Sequence, residues 1–163
     1  IDRSLVGSEM CIRDSLASAV ERASTYRSRL VEVLRVKAEV ICRRLESIDA
    51  AAVLLHRDLH DKQILITPDR RVAFIDLDTM AVGDAELDLA NLTAHLELRG
   101  LQEDGDAGRY APCRRMLLRG YPAPIDDDRL AVYLDAARLR LALVYAMRPR
   151  WSSIVERLHD SIG

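Results

Sequence analysis

Histidine and carboxylate side chains cluster in the middle of the chain, where they could transfer protons or hold a metal ion. His56, Asp58 and His60 alternate along one short segment, and Asp76 and Asp78 end an apolar run farther on. Carboxylates that converge in a folded chain are costly unless they share a proton or a cation. If the fold brings the two groups together, this pattern predicts a metal site.

Short strands and one tight turn must bring these two groups together. Three short apolar runs are predicted strands: Ala52–His56, Ile64–Thr67 and Val72–Asp76. Between the last two runs, Pro68 fixes φ and Asp69 can bond its own backbone, which is typical of a turn. The hairpin that this predicts places Asp76 close to the loop of residues 57–62.

Three motifs in this part of the chain resemble, in the same order, those of the aminoglycoside phosphotransferase and choline kinase family, relatives of the protein kinases. Residues 56–65, HRDLHDKQIL, resemble the catalytic loop H-G-D-L-H-x-x-N-x-L. Residues 75–78, IDLD, and 83–90, GDAELDLA, resemble the I-D-[FW]-[DE] and G-D-P-x-x-D-L-A motifs. A single H-x-D occurs by chance in many chains, but three motifs in register form a specific signal.

The resemblance implies a small-molecule kinase that uses ATP and Mg²⁺ to phosphorylate a hydroxyl group of its acceptor. In phosphoryl transfer the protein forms few covalent bonds itself. It mainly orients the hydroxyl and positions cations at the phosphates. By the resemblance, Asp58 orients the hydroxyl or accepts its proton, and Asp76 holds Mg²⁺ at the nucleotide phosphates. His56 and Asp88 brace the loop, and His60 either contacts the substrate or packs within the loop.

Two residues of the catalytic loop depart from the motif H-G-D-L-H-x-x-N-x-L. Gln63 occupies the position of a metal-binding Asn, so its carbonyl oxygen lies one methylene farther from the backbone. Mg²⁺ requires nearly octahedral geometry at about 2.0–2.1 Å, and therefore either the backbone sits back or a water intervenes. Arg57 replaces a common Gly. Gln63 and Asp76 are predicted to bind the nucleotide and its metal, and Asp78 either binds a second cation or bonds nearby backbone.

Two other functions stay open from the sequence. The first is a divalent-metal hydrolase built on His56, Asp58, His60, Asp76 and Asp78, although H-R-D-L-H lacks the H-x-H-x-D-H spacing of metallo-β-lactamases. Assays with and without ATP separate it from a kinase. The second is a non-catalytic, pseudokinase-like lobe, which Gln63 and the expected lack of a nucleotide lid suggest, and a Gly-rich loop and Lys in the upstream reading frame would argue against it.

The composition limits the partners that can be expected. The net charge is -2 and aromatic residues make up 4% of the 163 residues, so neither charge nor stacking favours nucleic acid. No run of about 18 apolar residues is present, so no membrane span is expected. Cys11, Cys42 and Cys113 form no C-x-x-C pair, which favours reduced thiols and a cytoplasmic location. The expected partner is a small-molecule hydroxyl acceptor, and the oligomeric state is undetermined.

The expected fold is α+β and mostly helical: the C-terminal lobe of a protein-kinase-like fold, in which a small β-hairpin carries the catalytic loop. Residues 16–163 are expected to form this lobe. Residues 1–15 contain SLVGSEMCIRDS, which resembles a translated adapter sequence, and are expected to be non-native. No Gly-rich run or strand-borne Lys precedes Leu54, so the N-terminal lobe that covers the nucleotide is expected to be missing and the fragment to be inactive.

Helices are predicted on both sides of the hairpin. Residues 16–48 form either one helix or two with a break near residues 24–27. A buried helix covers Ala85–Arg99, with Asp84 as its N-cap and Gly100 as its end. The remaining predicted helical segments are Tyr110–Arg119, the core helix Arg129–Met147 and an amphipathic turn at Trp151–Leu158.

Two features after the hairpin have more than one interpretation. The acidic loop Gln102–Arg109 is typical of a solvated linker, and contact of its acids with a cationic acceptor is the less favoured alternative. His95, on the buried helix, is predicted to be a satisfied core or interface residue rather than a ligand.

Overall fold

The computed structural model describes residues 8–25, 29–46, 48 and 53–163. The helices of these ranges are α1 (Ser8–Ser24), α2 (Arg29–Glu46), α3 (Ala85–Glu103), α4 (Ala111–Gly120), α5 (Asp127–Ala146) and α6 (Ser152–Asp160). The strands are β1 (Val53–Leu55), β2 (Ile64–Ile66), β3 (Val72–Phe74) and β4 (Ala81–Gly83). Single 3-10 turns cover Asp61–Gln63, Leu77–Thr79 and Pro149–Trp151. The described part of the chain is therefore mostly helical α+β, as the sequence predicts.

Helix α5 forms the centre of the helical core. Its sequence is apolar on nearly every face, and its Tyr133, Leu139 and Leu143 are fully buried. It packs against α1, α2, α3 and α6. A helix that is apolar all round is stable only inside a layer of other elements, so the prediction of a core helix is confirmed. Asp126 caps its start, because the carboxylate accepts hydrogen bonds from the backbone N–H groups two and three residues later.

Helices α1 and α2 cover one side of this core. The buried positions of α2 recur every three or four residues, at Val31, Leu34, Ala38, Ile41 and Leu45. This spacing places them on one face of the helix. The sequence left open one helix or two, and the structure has two. The predicted break near residues 24–27 overlaps residues 26–28, which lie outside the described ranges.

Helix α3 is longer than the sequence predicts, because it continues to Glu103 instead of ending at Gly100. Gly100 is buried inside the helix, where a Cβ atom would overlap the backbone carbonyl oxygen of Asp106. The carbonyl oxygen of Gly100 also accepts hydrogen bonds from the backbone N–H groups of Asp104 and Asp106. The missing side chain therefore lets the following loop fold back onto the helix rather than ending it.

Asp84 occupies the N-cap position of α3, but its side chain makes no capping hydrogen bond. Its carboxylate, which is 0% exposed, instead accepts hydrogen bonds from Arg129 Nη1 at 3.0 Å and from the Tyr133 hydroxyl at 2.7 Å. The predicted capping contact is therefore wrong. A buried charge needs such partners, and here they join the start of α3 to α5.

The strands form two separate antiparallel pairs. β2 and β3 form the predicted hairpin, with Ile64 opposite Phe74. β1 pairs with β4, which was not predicted from the sequence, and Leu55 lies opposite Ala81. The backbone N–H of Ile75 also donates to the carbonyl oxygen of Gln63 at 3.1 Å. The end of β3 therefore lies against the loop that joins β1 to β2.

The described helices include none that is long and apolar enough to cross a lipid bilayer. Cys42 is partly buried and Cys113 is exposed, and both are free thiols. Burial raises the pKa of the Cys42 thiol. The side chain of Cys11, the third predicted free thiol, lies outside the described part of the chain.

Candidate active site

The loop between β1 and β2 is held in place by a carboxylate from the first turns of α3. Asp88 Oδ2 accepts a hydrogen bond from the backbone N–H of His56 at 2.7 Å, and Asp88 Oδ1 accepts one from that of Arg57 at 2.8 Å. Burial raises the pKa of the Asp88 carboxyl, while these two backbone donors act in the opposite direction. The contact with the loop that the resemblance implies for Asp88 is therefore present.

His56 joins the same loop to the end of β3. Its side chain is 7% exposed, and its Nε2 lies 2.9 Å from the carbonyl oxygen of Ile75. Because a carbonyl oxygen can only accept, Nε2 carries a proton. The Thr79 hydroxyl donates to the carbonyl oxygen of His56 at 2.8 Å. His56 thus acts on the backbone around the site. It does not line the cavity of about 450 Å³ that opens beside Asp58.

Arg57 and Asp76 both have left-handed backbone conformations. Arg57, at the position where the family commonly has Gly, has φ 70°, and Asp76 has φ 63°. A left-handed backbone is unfavourable for most L-residues by about 1 to 2 kcal/mol, although Asp tolerates it better than Arg does. The guanidinium of Arg57 donates to the carbonyl oxygen of Thr79 at 3.3 Å, which offsets part of that cost.

Gln63 and Asp76, the predicted nucleotide and metal ligands, meet across the hairpin. Gln63 Nε2 donates to Asp76 Oδ2 at 3.3 Å. Gln63 is buried, and among the described residues its Oε1 has no hydrogen-bond partner. Buried polar atoms are normally satisfied, and Mg²⁺ takes oxygen ligands such as carboxylate and amide oxygens. The chemistry of these two residues therefore fits a magnesium ion, although the amide here turns its nitrogen, not its oxygen, toward Asp76.

Asp78 does not join this pair in any described contact. It lies on the exposed 3-10 turn Leu77–Thr79, and its carboxylate forms no hydrogen bond or ion pair within the described ranges. The one group of three His, Cys, Asp or Glu side chains that these ranges bring within metal-binding distance contains His60, Asp61 and His95. The five residues proposed for a metal hydrolase are thus not gathered into one such group.

Within the described ranges, the side chain of Asp58 makes its polar contact with α5 rather than with Gln63 or Asp76. Its Oδ1 lies 3.2 Å from Arg140 Nη2, which also donates to Asn91 Oδ1 at 3.0 Å. The Asn91 amide in turn donates to the carbonyl oxygen of Leu59 at 3.1 Å. Arg140 and Asn91 were not predicted from the sequence. The chain of bonds fixes both the Asp58 carboxylate and the loop that carries it.

A cavity of about 450 Å³ opens beside Asp58. It lies between the catalytic loop, the C-terminal half of α3 and the C-terminal half of α5. Polar side chains from all three elements line it, among them Asp58, His60, Asp61, His95, Arg99 and Arg140. A volume of this size accommodates a small-molecule ligand. Asp58 is therefore placed where an acceptor hydroxyl could reach its carboxylate.

Two histidines stack on one wall of the cavity. The rings of His60 and His95 have centroids 4.8 Å apart and an interplanar angle of 27°. Burial and the positive charge of Arg140 lower the pKa of His95 to about 4, so its ring is neutral near pH 7. The Nε2 atom of His95 is buried and has no described partner. The prediction of a satisfied core histidine is therefore wrong, because His95 lines a cavity with one nitrogen unpaired.

The acids of the loop Gln102–Arg109 do not line this cavity, although Gln102 does. Glu103 and Asp104 form ion pairs with Arg109, and the Tyr110 hydroxyl donates to Glu103 at 2.6 Å. Asp106 Oδ1 accepts from a backbone N–H within the same loop. These contacts use the acids to hold the loop together. The structure therefore favours the linker interpretation over a contact with a cationic acceptor.

The sequence comparison identifies the family of this mostly helical α+β chain. Residues 13–141 match the sequence profile of the phosphotransferase enzyme family, so the chain belongs to that family. The match spans the catalytic loop, both strand pairs and most of α5. Comparison with curated proteins gave no significant match. The predicted resemblance is confirmed at the level of the family.

Proposed function

We propose that this chain is the catalytic lobe of an ATP-dependent kinase that transfers the γ-phosphoryl group to a hydroxyl of a small acceptor. The observation that carries the proposal is the arrangement around one loop. Asp58 lines a cavity of small-molecule size. Five residues farther on, Gln63 bonds Asp76 through its amide nitrogen, and its buried amide oxygen has no partner among the described residues. Family membership supports the same class of reaction.

Each residue has a distinct task in this proposal. Asp58 accepts the acceptor hydroxyl's hydrogen bond and directs its oxygen toward the donor phosphate. Arg140 keeps the Asp58 carboxylate in one orientation through the 3.2 Å contact. Asp88 and His56 fix the loop backbone, so that the position of Asp58 does not depend on loop motion. Gln63 and Asp76 would hold Mg²⁺, which would neutralise charge on the nucleotide phosphates.

We further propose that an additional lobe covers the nucleotide and packs on the hairpin. Apolar side chains on and next to the hairpin are exposed, from 42% for Ile75 to 72% for Ile66. The others are Leu65, Val72, Phe74 and Leu77, and Leu54 of β1 is also exposed. Many exposed apolar side chains in one part of a chain are typical of an interface. Because the lobe contributes phosphate positioning, the 163 residues alone should turn over little ATP.

The two described free thiols support a reducing, cytoplasmic location.

The test is a phosphoryl-transfer assay with ATP, Mg²⁺ and a panel of hydroxyl compounds. It should use both the 163-residue chain and the longest reading frame that contains it. In the longer protein, Asp58→Asn should lower turnover at least about 100-fold while nucleotide affinity stays nearly unchanged. Asp76→Asn should weaken Mg-nucleotide binding as well, whereas Asp78→Asn reports whether a second cation site exists.

Three results would contradict the proposal. Release of phosphate from esters without ATP would indicate a hydrolase. Nucleotide binding without transfer to any compound, in a protein that contains the additional lobe, would indicate a non-catalytic lobe. Full turnover by Asp58→Asn would remove the role given to that carboxylate.

A further inference from the structure

The cavity beside Asp58 has more positive than negative side chains on its wall. Its acidic residues are Asp58 and Asp61, and its basic residues are Lys62, Arg99, Arg140 and Arg148. Two of the cations are neutralised within the wall. Arg99 Nη2 bonds Asp61 at 2.5 Å, and Arg140 Nη2 lies 3.2 Å from Asp58.

Lys62 and Arg148 are the cations that remain. In the described ranges, neither side chain has a carboxylate within ion-pair distance, and both line the cavity. Arg148 lies over the ring of Tyr145, with its guanidinium carbon 4.9 Å from the ring centroid. This stacking orients the guanidinium without neutralising its charge. The lowered pKa of His95 leaves that ring uncharged near pH 7. Among the Asp, Lys and Arg side chains of the wall, the excess of two positive charges comes from Lys62 and Arg148.

We propose that the acceptor is a hydroxyl compound that also carries an anionic group, either a carboxylate or a phosphate. This inference rests on the proposed function, because it assigns the acceptor of the same site. The hydroxyl lies at Asp58, and Lys62 and Arg148 attract the anionic group. A volume of about 450 Å³ admits an acceptor of monosaccharide size. A cationic acceptor would instead enter a cavity whose unpaired charges repel it.

The same charges argue against a divalent cation as the ligand of this cavity. His60, Asp61 and His95 lie close enough together to hold a metal ion. However, Asp61 Oδ2 already accepts two hydrogen bonds from Arg99, at 2.5 and 3.2 Å. A metal ion would have to share this carboxylate with the guanidinium and enter a wall that is already positive. Neither obstacle applies to an anion.

The first experiment compares three sugars of one size and different charge. Glucuronate, glucose and glucosamine carry charges of about -1, 0 and +1 at neutral pH, and the 163-residue chain is titrated with each, without nucleotide, by NMR. Glucuronate should bind about tenfold more tightly than glucose, and glucosamine should bind most weakly. Glucose 6-phosphate, as a fourth titrant, separates a phosphate preference from a carboxylate preference. Raising the salt concentration should reduce the advantage of the anions.

Substitutions locate the effect within the cavity. Lys62→Gln and Arg148→Gln should each remove most of the preference for glucuronate over glucose. The matched control is Arg150→Gln, because Arg150 also stacks on an aromatic ring, 5.0 Å from the centroid of Trp151, but does not line the cavity. It should leave the preference unchanged. The shifted amides should belong to α3, α5 and the catalytic loop.

Several outcomes would overturn the inference. They are equal or tighter binding of glucosamine, absence of binding by both anions, loss of the preference in Arg150→Gln to the same degree, or shifts confined to the β2–β3 hairpin. The binding experiment needs no ATP, so its failure is distinct from failure of the kinase proposal. Anion binding without phosphoryl transfer in the longer protein would refute only the kinase, and transfer to cationic acceptors would refute only the anionic acceptor.

Discussion

Replacing Asp88 by Asn tests whether one buried carboxylate holds the catalytic loop. The wild-type carboxylate accepts two backbone hydrogen bonds, at 2.7 Å from His56 and at 2.8 Å from Arg57. An amide has only one acceptor atom, so one backbone N–H would face an NH₂ group instead of an oxygen. The variant should therefore lose one charge-assisted bond, weaken the other and leave a buried donor unpaired.

The free energy of unfolding should fall by about 2 kcal/mol. Hydrogen bonds to a charged group contribute about 1.5 to 3 kcal/mol each, and an unpaired buried donor costs about 1 to 3 kcal/mol. Part of this loss is recovered, because burial disfavours the Asp88 charge, as its raised pKa indicates. For a chain of this size, 2 kcal/mol corresponds to a decrease in Tm of about 4 to 8 °C.

Urea unfolding at neutral pH measures the total effect, and hydrogen exchange locates it. The amides of His56 and Arg57 should exchange faster in Asp88→Asn, even under conditions where the core of α5 remains protected. The matched control is Asp128→Asn, since Asp128 is exposed in the first turn of α5 and shares the favourable interaction with a helix N-terminus. If both variants lose the same stability, or Asp88→Asn loses less than about 0.5 kcal/mol, the bracing role is refuted.

Two further predictions concern the core and the cavity wall. Gly100→Ala should lower the free energy of unfolding by about 1 to 3 kcal/mol, because the added Cβ would meet the Asp106 carbonyl oxygen. Gly120→Ala, with open space around its Cβ, should be neutral or slightly stabilising. Equal effects of the two substitutions in urea unfolding would contradict the close approach at Gly100. Between its folded pKa of about 4 and its ordinary value of 6.5, His95 binds a proton in the unfolded chain but not in the folded one. Stability should therefore decrease by about 2 kcal/mol from pH 7 to pH 5, and His95→Gln, but not His159→Gln, should abolish that part of the decrease.

Elements whose structure is decided by residues close together in the sequence were predictable from the sequence. The β2–β3 hairpin follows from two apolar runs joined by turn chemistry, which is local information. The helical state of residues 16–48 follows from hydrophobic spacing, although the choice between one helix and two did not. The core helix α5 follows from a sequence that is apolar on nearly every face. β4 was missed because Ala81–Gly83 is a three-residue strand that ends in Gly and has no recognisable pattern until it pairs with β1.

The errors arise where a distant residue decides the local structure. Gly100 has the chemistry of a helix end, but the close approach of a loop carbonyl explains it better. Asp84 has the chemistry of an N-cap, yet Arg129, 45 residues away, takes its carboxylate. Such partners cannot be read from neighbouring sequence. The motif residues themselves were identifiable, and their proposed roles at Gln63 and Asp76 remain predictions that the assays above test.

Helices α3 and α5 each carry polar residues at helical spacing, in addition to their apolar ones. This polar spacing was not recognised in the sequence, so the cavity residues on α5 were not predicted. In α3 the polar residues Asp88, Asn91, His95 and Arg99 are three or four positions apart, so they share one face, which meets the catalytic loop and the cavity. Arg140, Val144 and Arg148 have the same spacing on and just beyond α5, and all three line the cavity. Both helices are too apolar for a hydrophobic stripe to stand out, and the informative stripe is the polar one. In a helix that must be buried, polar residues at helical spacing therefore indicate the side that faces a ligand.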